Sequence, residues 1–350
     1  MNEKNFTRSI LEWYDAGHRD LPWRRTKDPY SIWISEIMLQ QTRAETVVSY
    51  YDRFLKKYPT VVDLAEADEA ELLKAWEGLG YYSRARSLQK AAKVIVSEHN
   101  AQLPASVEAL KALPGVGDYT SGAIASIAFG IPAAAVDGNV ERVLCRYYAI
   151  EDEVGTPAVR RRVFDLAQAL VPHDRPGAFA NAMMEMGATL CTPRNPACLI
   201  CPVRETCAGY EKGIAAQLPN KKKKKPQRVE KRAVLLIFCG GRVLVRRREE
   251  ALLGGLYVFP DVLDESEPQK LCEFVENIGI PCAYDARLGE AKHVFTHIIW
   301  EMEIHAIEAE NMPDVPGGMW VTAEELSALP LPTAVKAARK MAMERIKTHE

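Results

Sequence analysis

Residues 113–143 read LPGVGDYTSGAIASIAFGIPAAAVDGNVERV, and this stretch decides the fold. Leu113-Pro114-Gly115-Val116-Gly117 is a turn whose glycines leave backbone N–H groups uncovered. A small-residue helix follows, with Asp118 placed to cap it. Gly130 and Pro132 end that helix, and Asp137-Gly138-Asn139 opens the next. Uncovered N–H groups at a helix N-terminus suit a phosphate. A carboxylate at a helix start is expected to stay ionised, held by the dipole and by backbone donors. The stretch therefore predicts a phosphate grip and a lasting negative charge about one helix apart. A Gly-x-Gly turn between helices is common, and an Asp at a helix start is more often a cap than a catalyst. The surroundings decide between the two.

The chain has 350 residues, 47% hydrophobic and 26% charged, enough for two cores. No apolar run approaches the ~20 residues of a membrane span. The opening MNEKNFTRSILEW lacks a signal-peptide layout, so a cytoplasmic protein with no membrane partner is expected. The net charge of -2 conceals a local pattern. Residues 217–232, QLPNKKKKKPQRVEKR, carry a net +7, leaving -9 elsewhere. Charge alone neither supports nor excludes a nucleic acid.

Up to residue 216 the periodicity is helical. Helices are expected over residues 5–14, 29–42, 44–57, 70–76, 84–98, 157–170 and 177–190, with a helical hairpin over about 106–130. Residues 217–232 read as a basic linker, with loose phosphate contact as a second role for its lysines. From Ala233 the period changes to two. AVLLIF, Gly240-Gly241 and RVLVRR form a hairpin, and residues 298–305 alternate as a half-buried strand. Residues 267–278 form a helix, Thr322 and Glu325 a capping box, and a terminal helix starts at Thr333. The second domain, 233–350, is thus α+β.

Glu36 lies among apolar residues, with Gln40 on its face. Burial raises a carboxyl pKa and keeps it protonated; an exposed Glu36, or one paired with Arg43, would do neither. A protonated Glu36 and an ionised Asp137 would form the acid and charge-stabiliser pair that breaks a glycosidic bond. Of the eight cysteines, Cys191, Cys198, Cys201 and Cys207 run C-x6-C-x2-C-x5-C. In a chain without an export signal this reads as a metal site within residues 191–207. One C-x2-C where structural zinc usually shows two favours an iron–sulfur cluster. Cys145, Cys239, Cys272 and Cys282 read as core thiols.

The L-P-G-V-G turn, the V-D-G-N segment and the cysteine loop together resemble the helix-hairpin-helix DNA glycosylases with a [4Fe–4S] cluster. Within that superfamily SEIMLQQT (35–42), GLGYYSRAR (78–86) and the second domain resemble the adenine DNA glycosylases of the MutY type, hydrolases of N-glycosyl bonds. The resemblance implies a mainly α N-terminal helix-hairpin-helix glycosylase domain with an iron–sulfur cluster loop, plus an α+β Nudix-like C-terminal domain. The implied partner is double-stranded DNA with adenine opposite 8-oxoguanine or guanine, bound by a monomer. Glu36 would protonate adenine N7, and Asp137 would stabilise the oxocarbenium-like sugar. Tyr119 and Asn139 would line the site, Trp23 and Arg24 would border the flipped adenine, and Gln41 and Tyr81 would wedge beside the 8-oxoguanine. Leu113, Gly115 and Gly117 would meet the DNA backbone. Flipping is required because the reacting atoms are inaccessible inside the stack.

Tyr119 stands where bifunctional relatives carry a Schiff-base lysine, which implies a monofunctional enzyme. GGLYVFP (254–260) matches a GGLW-type segment. The helix EPQKLCEFVENIG (267–279) lacks the Glu-rich pattern that holds magnesium, so hydrolysis by the second domain is not expected. Phe295-Thr296-His297 corresponds to an F-S-H loop that reads 8-oxoguanine, with a threonine methyl added. Asn181 stands where the family carries Glu or Gln. The competing readings are a glycosylase–lyase for oxidised pyrimidines, a non-catalytic cluster protein, and a C-terminal phosphohydrolase.

Overall fold

The computed structural model describes residues 3–222, 226–250 and 252–348. Three residues of the five-lysine run, Lys223, Lys224 and Lys225, lie outside these. The chain forms two compact units, residues 1–67 with 86–223 and residues 68–85 with 224–350. Among the described residues no helix is long and apolar enough to cross a membrane.

The first unit is helical. It contains α1 (Glu3–Ala16), α2 (Pro29–Leu39), α3 (Ala44–Lys57) and α4 (Val61–Glu66). In α2 the Asp28 side chain accepts from Ser31 N at 2.8 Å with Pro29 at the first helical position. The helix stops three residues short of the expected Thr42, because Gln41 adopts φ +59°. The sequence reading missed α4, although Thr60 and Asp63 cap it reciprocally. α5 (Glu69–Ala75) belongs to the second unit, and α6 (Ser83–Glu98) enters the first at residue 86.

The hairpin is α7 (Val107–Ala112) and α8 (Asp118–Phe129). Between them Gly115 takes φ +76°, and a Cβ there would lie 2.6 Å from Ser87 Cβ, so only glycine fits. The N-cap of α8 is Gly117, not Asp118. Asp118 is already helical, and its carboxylate pairs with Lys111. Leu113 is buried at 3% exposure, so of this turn only the backbone around Gly115 and Gly117 remains for a phosphate.

Beyond Gly130, at φ +66°, the chain runs to α9 (Gly138–Tyr147), α10 (Pro157–Leu170), α11 (Pro176–Thr189) and α12 (Ala208–Glu211). Phe6, Ile10, Val143, Leu144, Phe179 and Met183 form the core that fixes α9 against α1 and α11. Gly187 on α11 lets α9 approach closely, since a Cβ there would meet Asn139 Cβ at 2.5 Å.

The second unit is a mixed sheet between two helical layers. Its elements are β1 (Arg228–Cys239), β2 (Arg242–Arg247), β3 (Tyr257–Val258), β4 (Asp261–Leu263), α13 (Pro268–Asn277), β5 (Cys282–Val294), β6 (Ile298–Ala309), β7 (Gly318–Val321), α14 (Ala323–Ala328) and α15 (Lys336–Thr348). β1 runs parallel to β6 and antiparallel to β2 and β4. Its Ala233, Leu235 and Ile237 pack with Leu271 and Val275 of α13. Val234, Leu236 and Phe238 pack with Ala338, Ala342 and Ile346 of α15. Burial on both faces is why AVLLIF lacks alternation. The hairpin at Gly240-Gly241 and the strand at 298–305 form as read, with both glycines at positive φ.

Three features were not anticipated. β1 starts at Arg228, so residues 228–232 of the expected linker are strand. β5 went unseen because it has no fully buried residue, leaving its alternation faint. Residues 68–85, read as part of the helical domain, pack in the second unit: Lys74 Nζ donates to the carbonyls of Ser327 (2.7 Å) and Leu329 (3.0 Å), and Arg339 Nη1 to Glu77 at 2.6 Å.

Candidate active site

Glu36 sits near the end of α2, 3% exposed. Its Oε2 accepts from the Tyr119 hydroxyl at 2.5 Å. Burial pushes its pKa up to about 7; the Tyr119 hydrogen bond opposes this and the Asp137 charge adds to it. Gln40, on the same face, donates to Thr120 Oγ1 at 3.3 Å.

Asp137 is the N-cap of α9. Its Oδ1 accepts from Asn139 N (2.9 Å) and Val140 N (2.8 Å), and its Oδ2 from Asn139 Nδ2 (2.7 Å). The sequence predicts a carboxylate that stays ionised, held by the helix start and its donors; those donors are in place, while burial works against them and raises its pKa. The two carboxyls still separate in kind. Asp137 accepts three hydrogen bonds and lies near Arg142, whereas Glu36 accepts one. A single proton shared between them therefore rests on Glu36.

Both carboxyls line one cleft of about 760 Å³, with Trp23, Arg24, Gln41, Tyr119, Asn139 and Asn181 among its other walls. Trp23 is buried edge-on to Tyr51 at 5.6 Å. Gln41 is exposed at its left-handed turn.

Sequence reasoning missed Arg19, Arg142, Met184 and Lys221 in the lining, and Glu185, which Arg19 shares with the anticipated Arg24. Arg19 and Arg24 each place a nitrogen 2.8 Å from Glu185 Oε2. Burial alone would raise Glu185, but these guanidiniums hold it down at about 2. Met184, one residue before Glu185 on α11, puts Sδ 3.2 Å from the Tyr119 hydroxyl. Arg142 and Lys221 also reach the cleft. FANAMMEMG carries the helical spacing that could have flagged Met184 and Glu185. Nothing local marks Lys221, which arrives through a bridge to Val154.

The four cysteines line one small cavity with Val143, Arg146 and Met186. Among the described residues no three ligand side chains converge as a single-ion site. Burial raises the thiols of Cys198, Cys201 and Cys207, Cys201 to about 11. A bound cationic centre reverses that cost. Arg146, 2% exposed, aims Nη1 at Cys191 Sγ (3.4 Å) and at Thr192 O (2.7 Å). A buried guanidinium beside thiolates offsets the net negative charge of a thiolate-ligated iron–sulfur centre, so this donor set fits one. One turn earlier on α9, Arg142 donates to Cys191 O (2.8 Å) and to Asn139 Oδ1 (2.8 Å). The helix that begins at Asp137 thus also holds the cysteine loop.

In the second unit Phe295, Thr296 and His297 form the turn between β5 and β6. Phe295 is edge-on to His293 (4.5 Å) and Trp300 (4.8 Å). Thr296 Oγ1 lies 2.7 Å from the hydroxyl of Tyr81, which is 51% exposed at φ +47°. Tyr81 and the 295–297 loop, far apart in sequence, are brought together.

Residues 34–169 match the family model of the HhH-GPD superfamily base excision DNA repair proteins. Residues 191–207 match the iron-sulfur binding domain of endonuclease III, and residues 233–341 a NUDIX domain. The chain is 37% identical to the adenine DNA glycosylase of Homo sapiens, across 95% of this chain and 72% of that protein. It is 34% identical to that of Buchnera aphidicola subsp. Baizongia pistaciae, across 84% of this chain and 83% of the relative.

The chain belongs to the adenine DNA glycosylase family.

A solved thermostable thymine-DNA glycosylase matches with TM-score 0.55 and 34% identity, across 60% of this chain and 97% of its own. A trapped endonuclease III–DNA covalent intermediate matches with TM-score 0.52 and 25% identity, across 61% and 99%. This adenine DNA glycosylase is a DNA-binding enzyme of base excision repair with an iron–sulfur cluster in its cysteine loop. Purified protein is expected to be brown and to contain iron, and Cys201→Ala to lose both the colour and several degrees of melting temperature. Stoichiometric zinc without iron would refute the assignment.

Proposed function

We propose that this adenine DNA glycosylase extrudes adenine paired with 8-oxoguanine, or with guanine, and hydrolyses its N-glycosyl bond using Glu36 as acid and Asp137 as charge stabiliser. The observation that carries the reading is two buried carboxyls in one cleft with unequal hydrogen bonding. Glu36, protonated near neutral pH, delivers a proton to adenine N7 and makes the base a leaving group. Positive charge then develops on the sugar, and Asp137, aimed by Asn139 and the start of α9, stabilises it. Trp23 and Arg24 wall the base, and Gln41 wedges into the stack. On the second unit Tyr81 and the Phe295-Thr296-His297 loop read the 8-oxoguanine. Four thiols around one cavity match a [4Fe–4S] cluster, which when bound fixes the loop that Arg142 and Arg146 tie to α9. The enzyme acts as a cytoplasmic monomer.

Tyr119 spends its hydroxyl on Glu36 and offers no amine, which supports a monofunctional reaction. Lys221 supplies the cleft with an amine from another element and favours a weak lyase as second reading. Duplexes bearing adenine opposite 8-oxoguanine, adenine opposite guanine, or an oxidised pyrimidine separate these readings. Abasic sites are expected from the first two only, with strand breaks appearing only after alkali. Alkali-free breaks lost in Lys221→Ala would establish the lyase, and excision of the oxidised pyrimidine alone would sink the proposal.

A further inference from the structure

The Tyr119 hydroxyl has one proton and two partners among the described residues, Glu36 Oε2 at 2.5 Å and Met184 Sδ at 3.2 Å. It cannot donate to both. While Glu36 is ionised, its oxygen is the stronger acceptor and takes the Tyr119 proton. Once Glu36 is protonated on Oε2, its O–H donates to the Tyr119 oxygen 2.5 Å away, and the neutral carboxyl is a weaker acceptor than the carboxylate was. The Tyr119 proton then needs another place, and its surroundings are desolvated. Left unpaired it would penalise the protonated acid. The thioether of Met184 is that place.

We propose that Met184 is a positioning residue: by accepting the Tyr119 proton, it lets Glu36 keep the proton it will give to adenine. No covalent bond breaks within the triad. Glu36 takes its proton from solvent, and the Tyr119 O–H swings about its C–O bond from carboxylate to sulfur. The other groups around Glu36 are Asp137 at the start of α9, Arg24 in the turn before α2, Gln40 on α2 itself, and Glu185 on α11, held by Arg19 and Arg24. None of them meets the Tyr119 hydroxyl.

The inference rests on the reading of Glu36 as the acid. The test is the pH dependence of single-turnover adenine excision from an adenine:8-oxoguanine duplex. It uses the full-length parent, Met184→Leu, Tyr119→Phe and the double variant, with melting curves to confirm folding. Activity should fall on the alkaline side as Glu36 ionises. Leu lacks an acceptor, so in Met184→Leu that limb should move to lower pH by roughly half a unit, about a threefold loss on the limb. With Tyr119→Phe in place, Met184→Leu should move it no further. A limb that stays put in Met184→Leu, or moves equally without the Tyr119 hydroxyl, overturns the proposal. A folded parent with no alkaline limb overturns instead the reading of Glu36.

Discussion

Asp137→Asn is expected to lower single-turnover adenine excision by at least about a thousandfold while leaving DNA affinity within a few-fold of the parent. Asn still accepts from the N–H groups of Asn139 and Val140 and still caps α9, so the helix start survives. The fixed negative charge facing the developing sugar cation is lost. Its replacement also presents an amide N–H₂ to Asn139 Nδ2, where the parent made a 2.7 Å hydrogen bond. Excision rates with enzyme in excess, alongside affinity for an uncleavable adenosine analogue, separate chemistry from binding. Excision at the parent rate would remove Asp137 from the mechanism.

Glu36→Gln is the second large effect, a loss of roughly a hundred- to ten-thousandfold. Gln keeps an acceptor for Tyr119 but has no proton to deliver. Stability should move the other way. The folded Glu36 has a pKa of about 7 against an ordinary 4.5. The folded state therefore binds the proton more tightly than the unfolded chain does. Stability from this group is full below about pH 4.5 and is lost as pH rises through 7, up to about 3 kcal/mol in the ionised state. Removing the charge should raise the melting temperature by several degrees above pH 7 and change little near pH 4. An equally active Glu36→Gln, or one less stable than the parent at pH 8, would contradict the buried acid.

The helices and the first candidate residues were legible because their signals are local. Asp28-Pro29, Gly130 and the cysteine spacing announce themselves within a few positions. The apolar company of Glu36 foretold its raised pKa. The donors of Asp137 were visible in the sequence, whereas the desolvation that opposes them and raises its pKa comes from the whole cleft. Arg142 and Arg146 went unread. Their partners, Cys191 and its neighbours, lie 45 or more residues away. Met184 went unread because a sulfur 3.2 Å from a hydroxyl has no sequence mark. Asp118 looked like a cap only because the turn before it proved one residue shorter.

Residues 68–85 fold with residues 224–350, and within that unit Tyr82 donates its hydroxyl to the Leu331 carbonyl at 3.4 Å. The gene-order halves are therefore interleaved rather than strung in tandem. An expression fragment ending in the lysine run would carry residues 68–85 without the Ser327, Leu329 and Leu331 carbonyls to which Lys74 and Tyr82 donate. The complementary fragment would lack the piece that occupies the Ser327 and Leu329 carbonyls. Swapping the sheet-bearing portion between relatives therefore means exchanging two separated stretches together.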